Sequence, residues 1–132
     1  MKIDDSIFES LMEKAAASER LRMNYDLRNS SADGSQRMLN ALLPGTPLPV
    51  HRHPDTSETV VCLKGSLDEI FYDRTGGVLR ESERIRLDAD GPVRMVLIPK
   101  GVWHTVEVFE PSIIFESKDG AYAPTREEDI IL

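Results

Sequence analysis

Cysteine is nearly absent from this sequence, whose 132 residues include only Cys62. A single cysteine excludes an internal disulfide and indicates a reducing compartment. No N-terminal stretch resembles a secretory signal, and no apolar run is long enough to cross a bilayer. We therefore expect a cytoplasmic protein in which Cys62 packs as a small apolar side chain on a strand.

Positive charge is also scarce. The chain has 16 lysines and arginines against 23 aspartates and glutamates, which gives a net charge of −7. This balance argues against a nucleic-acid partner and against an anionic membrane surface. Among the basic residues, 11 arginines outnumber 5 lysines. The excess of arginine favours recognition of carboxylate or phosphate groups, although scattered arginines are also typical of a solvated surface.

Histidine is the third scarce residue, and all three histidines fall within one pattern. His51, His53 and Glu58 fit the form G-x5-H-x-H-x4-E-x6-G, and His104 follows in P-x-G-x2-H. Because side chains alternate along a strand, His51 and His53 leave the same face, and the turn PDTS lets Glu58 return on the next strand to face them. Three imidazoles and one carboxylate predict a site for one divalent transition metal.

The ligand set alone leaves the identity and role of this metal open. Four protein ligands complete a tetrahedral zinc shell, which is typical of a structural site. The same four ligands on octahedral iron, manganese or nickel leave two adjacent positions for water or substrate. The candidate ions are therefore Fe²⁺, Mn²⁺, Ni²⁺ and Zn²⁺. The ligand set fits both a structural metal and a catalytic metal.

The sequence predicts an N-terminal helix followed by a single β-domain. Residues 6–17 carry apolar side chains at helical spacing, and residues 4–6 supply N-cap candidates. From residue 37 onward, short alternating strands are separated by turn residues, with no second helix. This pattern favours a closed all-β unit. We expect residues 1–35 to form a helix and loop that pack on a barrel of residues 36–132.

The two histidine motifs resemble the signature motifs of the cupin superfamily. The first motif fits without a gap. The second is looser, because the stretch from Gly91 to Pro99 is two residues longer than the usual spacing and Val108 stands where many cupins have asparagine. Both departures lie outside the ligand set. The resemblance implies a single small cupin barrel, a double-stranded β-helix or jelly roll, with one bound divalent metal.

More of the chain resembles one subgroup, the WbuC-type cupin metalloproteins. The similar stretches are RLRMNYDL at 20–27, QRMLNALLPGT at 36–46 and IIFESKDGAYAP at 113–124. This resemblance implies an association with surface-polysaccharide biosynthesis but supplies no reaction. Cupin barrels often pair through open sheet edges, so a homodimer is expected as well.

Several polar and aromatic residues are candidates to contact a ligand beside the metal. Glu116 is a candidate general base, and a surface ion pair with Lys118 is the alternative reading. Trp103 is placed either to stack on a sugar ring or to pack at the rim. The other candidates fit a hydroxylated or phosphorylated small molecule, or serve as loop caps. The full set of substrate-binding candidates is Arg22, Asn24, Tyr25, Gln36, Arg37, Asn40, Tyr72, Trp103 and Lys118.

Two classes of function fit these residues. One is a metal-dependent enzyme that isomerises or epimerises a sugar or sugar phosphate through Lewis-acid chemistry, with iron-dependent oxygenation as a second enzymatic possibility. The other is a non-catalytic sugar-binding or sensor module in which the metal is structural.

Overall fold

The computed structural model describes residues 1–132 as one helix and ten strands in two antiparallel sheets. The predicted all-β cupin architecture with an N-terminal helix is confirmed. The elements are α1 (Asp5–Ala17), β1 (Arg22–Asp26), β2 (Ser35–Leu42), β3 (Val50–His51), β4 (Glu58–Lys64), β5 (Ser66–Thr75), β6 (Val78–Asp88), β7 (Met95–Ile98), β8 (Trp103–Val108), β9 (Ser112–Asp119), a 3₁₀ turn (Glu127–Asp129) and β10 (Ile130–Ile131).

Helix α1 covers the outer face of one sheet. Its N-cap is Asp4, whose side chain accepts a hydrogen bond from the Ser6 amide at 3.1 Å. Leu11 and Ala15 on its inner face are buried against Leu39, and also pack on Ala41 and Ile113. Because the helix occupies the outside of this sheet, the opposite face remains free to line an interior. The helix is not long and apolar enough to cross a membrane.

The two sheets have the strand orders β1-β2-β9-β4-β7 and β10-β3-β8-β5-β6. Strand β1 lies within the segment predicted as helix and loop, because its pairing with β2 is a tertiary interaction that local pattern does not reveal. Between the sheets lies an apolar core that includes Cys62, as predicted from the sequence. The core residues are Leu42, Val60, Cys62, Leu67, Phe71, Leu87, Val96, Ile98, Val108 and Ile114.

The C-terminal segment returns to the short strand β3. Strand β10 pairs with it so that Ile130 lies opposite His51, and β3 pairs on its other side with β8, where His51 lies opposite His104. The return is fixed by a 2.7 Å ion pair between Arg52 Nε and the buried Asp129 carboxylate. The chain end therefore forms part of the wall around the histidines.

Candidate metal centre

Three histidines converge inside the barrel. His51 lies on β3, His104 lies opposite it on β8, and His53 follows β3 in the loop that leads to β4. One ring nitrogen from each lies within 4.8 Å of the other two. This spacing fits three imidazoles around one ion, so the histidine part of the predicted cluster is present in the structure.

Backbone carbonyls orient two of these rings. His51 Nδ1 lies 2.9 Å from the Pro49 carbonyl oxygen, and His104 Nδ1 lies 2.9 Å from that of Val102. A carbonyl only accepts, so each Nδ1 carries a hydrogen and Nε2 is the ring nitrogen left to face a ligand. Burial, followed by the charge of the neighbouring His104, lowers the pKa of His51 to about 4. His51 is therefore neutral near pH 7, which is the form that binds metal.

Glu58, the first residue of β4, lies beside two of the three histidines. Its side chain is 4% exposed, and its Oε2 lies 3.4 Å from His53 Nε2 and 3.5 Å from His104 Nε2. Burial alone would raise the pKa of Glu58, but His104, His53 and Lys118 hold that pKa well below its usual range. The carboxylate is thus ionised, as a metal ligand must be.

Two buried atoms of this group have no hydrogen-bond partner. They are His53 Nε2 and Glu58 Oε2, which face each other. An unsatisfied buried polar atom costs about 1–3 kcal/mol, so such atoms are rare and require an explanation. A divalent cation between them satisfies both, and a set of three imidazoles and one carboxylate suits that ion. The residues present therefore fit a metal.

A cavity of about 290 Å³ adjoins the histidines. It brings together the four metal-ligand candidates with four of the predicted ligand-contacting residues, Arg22, Asn40, Glu116 and Lys118. Residues that sequence reasoning missed also line it, namely Arg20, Thr46, Leu48, Glu69, Thr125 and Ile130. Several of these become neighbours only through the turn before β1 and the returning C-terminal segment, which no local pattern predicts.

Glu116 faces this cavity from β9. Its Oε2 accepts a hydrogen bond from Asn40 Nδ2 at 2.7 Å. Burial and then the negative charge of Glu58 raise the pKa of Glu116 to about 8. It does not form the alternative ion pair with Lys118, since no contact between their charged atoms falls within 4.0 Å. Glu116 is therefore largely protonated near pH 7. In that form it can donate a proton, and it can act as a base only after it has lost this proton.

Glu69 is a third cavity glutamate, and the sequence reasoning overlooked it. Inward-facing residues of β5 and β8 lie opposite each other, with Phe71 paired to His104 and Glu69 paired to Val106. Glu69 is 1% exposed and has neither an ion pair nor a side-chain hydrogen bond. Burial, with Glu58 and Glu116 nearby, raises its pKa well above the usual range. The only signal in the sequence is a glutamate on an otherwise apolar strand face, which does not show that this position lines a cavity.

Two predicted ligand-contacting residues line neighbouring cavities instead. Asn24 and Gln36 both border a cavity of about 180 Å³. Gln36 also borders one of about 330 Å³ beside the C-terminal segment, where its side-chain amide donates to the Gly120 carbonyl oxygen at 3.2 Å.

Four other predicted residues lie away from all of these cavities. Tyr25 packs against the helix side of its sheet, and Arg37 forms a 3.0 Å ion pair with Asp33. Tyr72 and Trp103 lie opposite each other on the outer faces of β5 and β8, because the adjacent inward positions belong to Phe71 and His104. Arg guanidinium groups cover the Trp103 ring: Arg52 at 4.5 Å and Arg74 at 5.5 Å from its centroid. Their positions correct the expectation that these four side chains face the ligand.

The chain has a cupin-type fold, a small β-barrel, with a histidine cluster in its interior that is suited to a metal ion. The chain belongs to the family described as "Domain of unknown function (DUF6016)", whose sequence profile matches residues 3–84. No curated protein matches the chain.

Solved structures of cupins are similar to this chain in fold. A cupin-2 domain protein from Shewanella frigidimarina is 22% identical, with 89% of this chain and 93% of that chain covered and a TM-score of 0.61. KdgF from Halomonas sp. is 14% identical, with 76% and 82% covered and a TM-score of 0.60. The capsular polysaccharide assembling protein CapF from Staphylococcus aureus is 18% identical, with 87% of this chain but 32% of CapF covered and a TM-score of 0.63.

Proposed function

We propose that this protein is a metal-dependent cupin enzyme that isomerises or epimerises a small polar metabolite, a sugar or sugar phosphate. The observation that carries the proposal is the facing pair of unpartnered buried atoms, His53 Nε2 and Glu58 Oε2, at the wall of a cavity lined by ionisable groups. His51, His53, Glu58 and His104 would hold the ion. When bound, a divalent ion supplies Lewis-acid polarisation of a substrate carbonyl.

Glu116 is the proposed proton-transfer residue. Its Oε2 accepts from the Asn40 amide, which leaves Oε1 as the atom that carries the proton. A pKa of about 8 lets this carboxyl group donate a proton near pH 7 and take one back at little cost. Isomerisation and epimerisation both need such a reversible transfer, and all three histidines of the chain are already engaged in the cluster.

The wider biological setting is part of the proposal. The resemblance to WbuC-type cupins and the likeness in fold to a capsular polysaccharide assembling protein support a role in surface-polysaccharide metabolism. Strand β7 is a sheet edge, and its Met95 and Leu97 side chains are exposed, which supports a homodimer formed at that edge. The single cysteine supports a reducing, cytoplasmic location.

Elemental analysis of tag-free protein tests the metal. We expect about one equivalent of iron, manganese, nickel or zinc per chain, bound by four protein ligands. A His51→Ala/His104→Ala double variant should lose it. If neither protein holds metal after reconstitution with each of these ions, the proposal is wrong.

Solvent-proton exchange tests the chemistry. Aldose and ketose phosphates incubated with the protein in deuterated water should incorporate deuterium next to the carbonyl, as followed by NMR. Glu116→Gln should slow this exchange about 100-fold or more while the metal content is unchanged. Sugar binding without exchange, in parent and variant alike, would instead identify a sensor module.

A further inference from the structure

Two arginines at the start of β1 face the metal cavity without a carboxylate partner. Arg20 and Arg22 both line it, and neither forms an ion pair within 4.0 Å. Most other arginines do, since ion pairs engage Arg28, Arg37, Arg52, Arg84, Arg86 and Arg126. The cavity therefore contains guanidinium groups whose charge no side chain balances at short range.

The loop between β2 and β3 holds this pair in place. The Thr46 hydroxyl donates to the Arg20 carbonyl oxygen at 2.7 Å, and Arg22 Nη1 donates to the Pro47 carbonyl oxygen. Leu21, between the arginines, has a φ of 54°, in the left-handed region that a branched side chain rarely adopts. Such backbone strain costs about 1–3 kcal/mol and persists where the surroundings enforce it. The backbone at Arg20 and the side chain of Arg22 are thus held in place.

Most donors of these guanidinium groups are free for a ligand. A guanidinium has five N–H donors, of which Arg22 uses one on Pro47, while the Arg20 side chain makes no hydrogen bond. Burial, and then the positive charge of Arg20, lower the pKa of Arg22. Like charges repel, and an anion bound between the two guanidinium groups would relieve that repulsion. The N–H donors of a guanidinium lie in one plane, and two of them can bind the two oxygens of a carboxylate or phosphate at once.

We propose that Arg20 and Arg22 form an anion subsite, so that the ligand of this cavity carries a carboxylate or phosphate group. The inference rests on the proposed function for the metal end of the ligand. It narrows the substrate class from polar metabolites in general to sugar acids or sugar phosphates.

Calorimetric titration of the full chain as purified tests the subsite with three matched probes: glucose, glucuronate and glucose 6-phosphate. We expect at least one anionic probe to bind about 10-fold or more tightly than glucose. Arg20→Gln and Arg22→Gln should each weaken that probe about 10-fold and so reduce its preference over glucose. Arg80→Gln is the matched control, because Arg80 is exposed, has no ion pair and lies outside the cavity.

The outcomes separate the sources of the anion. A preference for glucuronate assigns a carboxylate ligand, and a preference for glucose 6-phosphate assigns a phosphate. Equal binding of glucose and the anions, an anion preference that survives both substitutions, or no binding of either anion at millimolar concentration would overturn the subsite.

The test also distinguishes this inference from the proposed function. If the protein holds no metal but the arginine-dependent anion preference remains, the proposed function fails and the subsite stands. If the protein holds metal and exchanges sugar protons with no effect of either arginine variant, the subsite fails and the proposed function stands.

Discussion

Three glutamates line the cavity, and their surroundings favour different charge states. Glu58 faces His53 and His104, which favour its ionised form despite burial. Glu69 is buried and Glu116 is half-buried, and the negative charge of Glu58 acts on both, so desolvation and repulsion favour their protonated forms. The charge of the cavity is therefore set by the environment of each carboxyl group and not by the number of glutamates.

Substitution of Glu69 by glutamine tests this at a single residue. The folded pKa of Glu69 is raised above its ordinary value of 4.5, so its contribution to stability is full below that pH and is lost as pH rises through the folded pKa. Glutamine does not ionise. We expect the unfolding free energy of Glu69→Gln, relative to the parent, to increase by about 1 kcal/mol or more between about pH 5 and pH 8.

Urea unfolding of both proteins at the two pH values measures the difference. Glu83→Gln is the matched control, since Glu83 lies on the neighbouring strand β6 and is exposed. A parent and a Glu69→Gln variant whose stabilities change with pH in parallel would show that Glu69 titrates normally in the folded protein.

The roles of individual residues were predictable to the extent that spacing determines them. His51 and His104 lie opposite each other on β3 and β8, and His53 joins them from the loop after β3 rather than from the strand that its spacing predicted. Trp103 was misplaced because it neighbours His104 in sequence, and neighbours on a strand point to opposite faces. Glu69 carries no motif, and its significance comes only from the walls that surround it.

At the scale of elements, the tight connection between β4 and β5 depends on Gly65. This residue has a φ of +83°, and a Cβ added to it would lie 2.9 Å from Ser112 Cα. Alanine is therefore disfavoured both by backbone conformation and by close contact with backbone atoms. We expect Gly65→Ala to lower the unfolding free energy by about 2 kcal/mol or more, as measured by urea denaturation.

Gly34→Ala is the control for that measurement. Gly34 has no positive φ, and no atom lies within 4 Å of its added Cβ, so the substitution should change stability by about 0.5 kcal/mol or less. If the two variants were equally stable, the β4–β5 connection would have to tolerate a shift of its backbone.

Elements were predictable where their signal is local. The helix predicted over residues 6–17 is observed at Asp5–Ala17, because apolar periodicity and N-cap chemistry both lie within its own sequence. Strand β1 was missed although RMNYD alternates polar and apolar residues, because five residues carry too little signal to identify a strand and the pairing with β2 that holds it is a tertiary interaction. The strand predicted to carry His51 and His53 is observed only at Val50–His51, whereas the two-residue strand β10 was not predicted because it forms only through its pairing with β3.

At the scale of the whole molecule, the fold was predictable because the two histidine motifs are distant in sequence but must meet at one site. A small β-barrel that closes around the histidines brings them together. The composition of the cavity was less accessible. Its wall combines the start of β1, the β2–β3 loop and the C-terminal segment, which meet only when the sheets assemble. The metal-ligand candidates could therefore be chosen from sequence, whereas Arg20, Glu69 and Thr125 could not.

The same assembly implies that a metal bound at this site would stabilise the whole domain. The candidate ligands come from β3, the following loop, β4 and β8, so an ion bound among them joins strands of both sheets. It also satisfies His53 Nε2 and Glu58 Oε2, which otherwise lack partners. A ligand that binds only the folded state raises stability by mass action, by about 2.7 kcal/mol at 100 times its Kd.

We therefore expect a chelator to lower the Tm of the metal-loaded protein by several degrees, and re-addition of the ion to restore it. Differential scanning calorimetry measures both shifts. The His51→Ala/His104→Ala variant should melt at one temperature with or without chelator, because its site can no longer hold the ion. An equal response of parent and variant would mean that the chelator acts elsewhere on the chain. If the chelator leaves the Tm of the metal-containing parent unchanged, the ion either stays bound in the presence of the chelator or contributes little to folding. That result would favour a catalytic metal over a structural one.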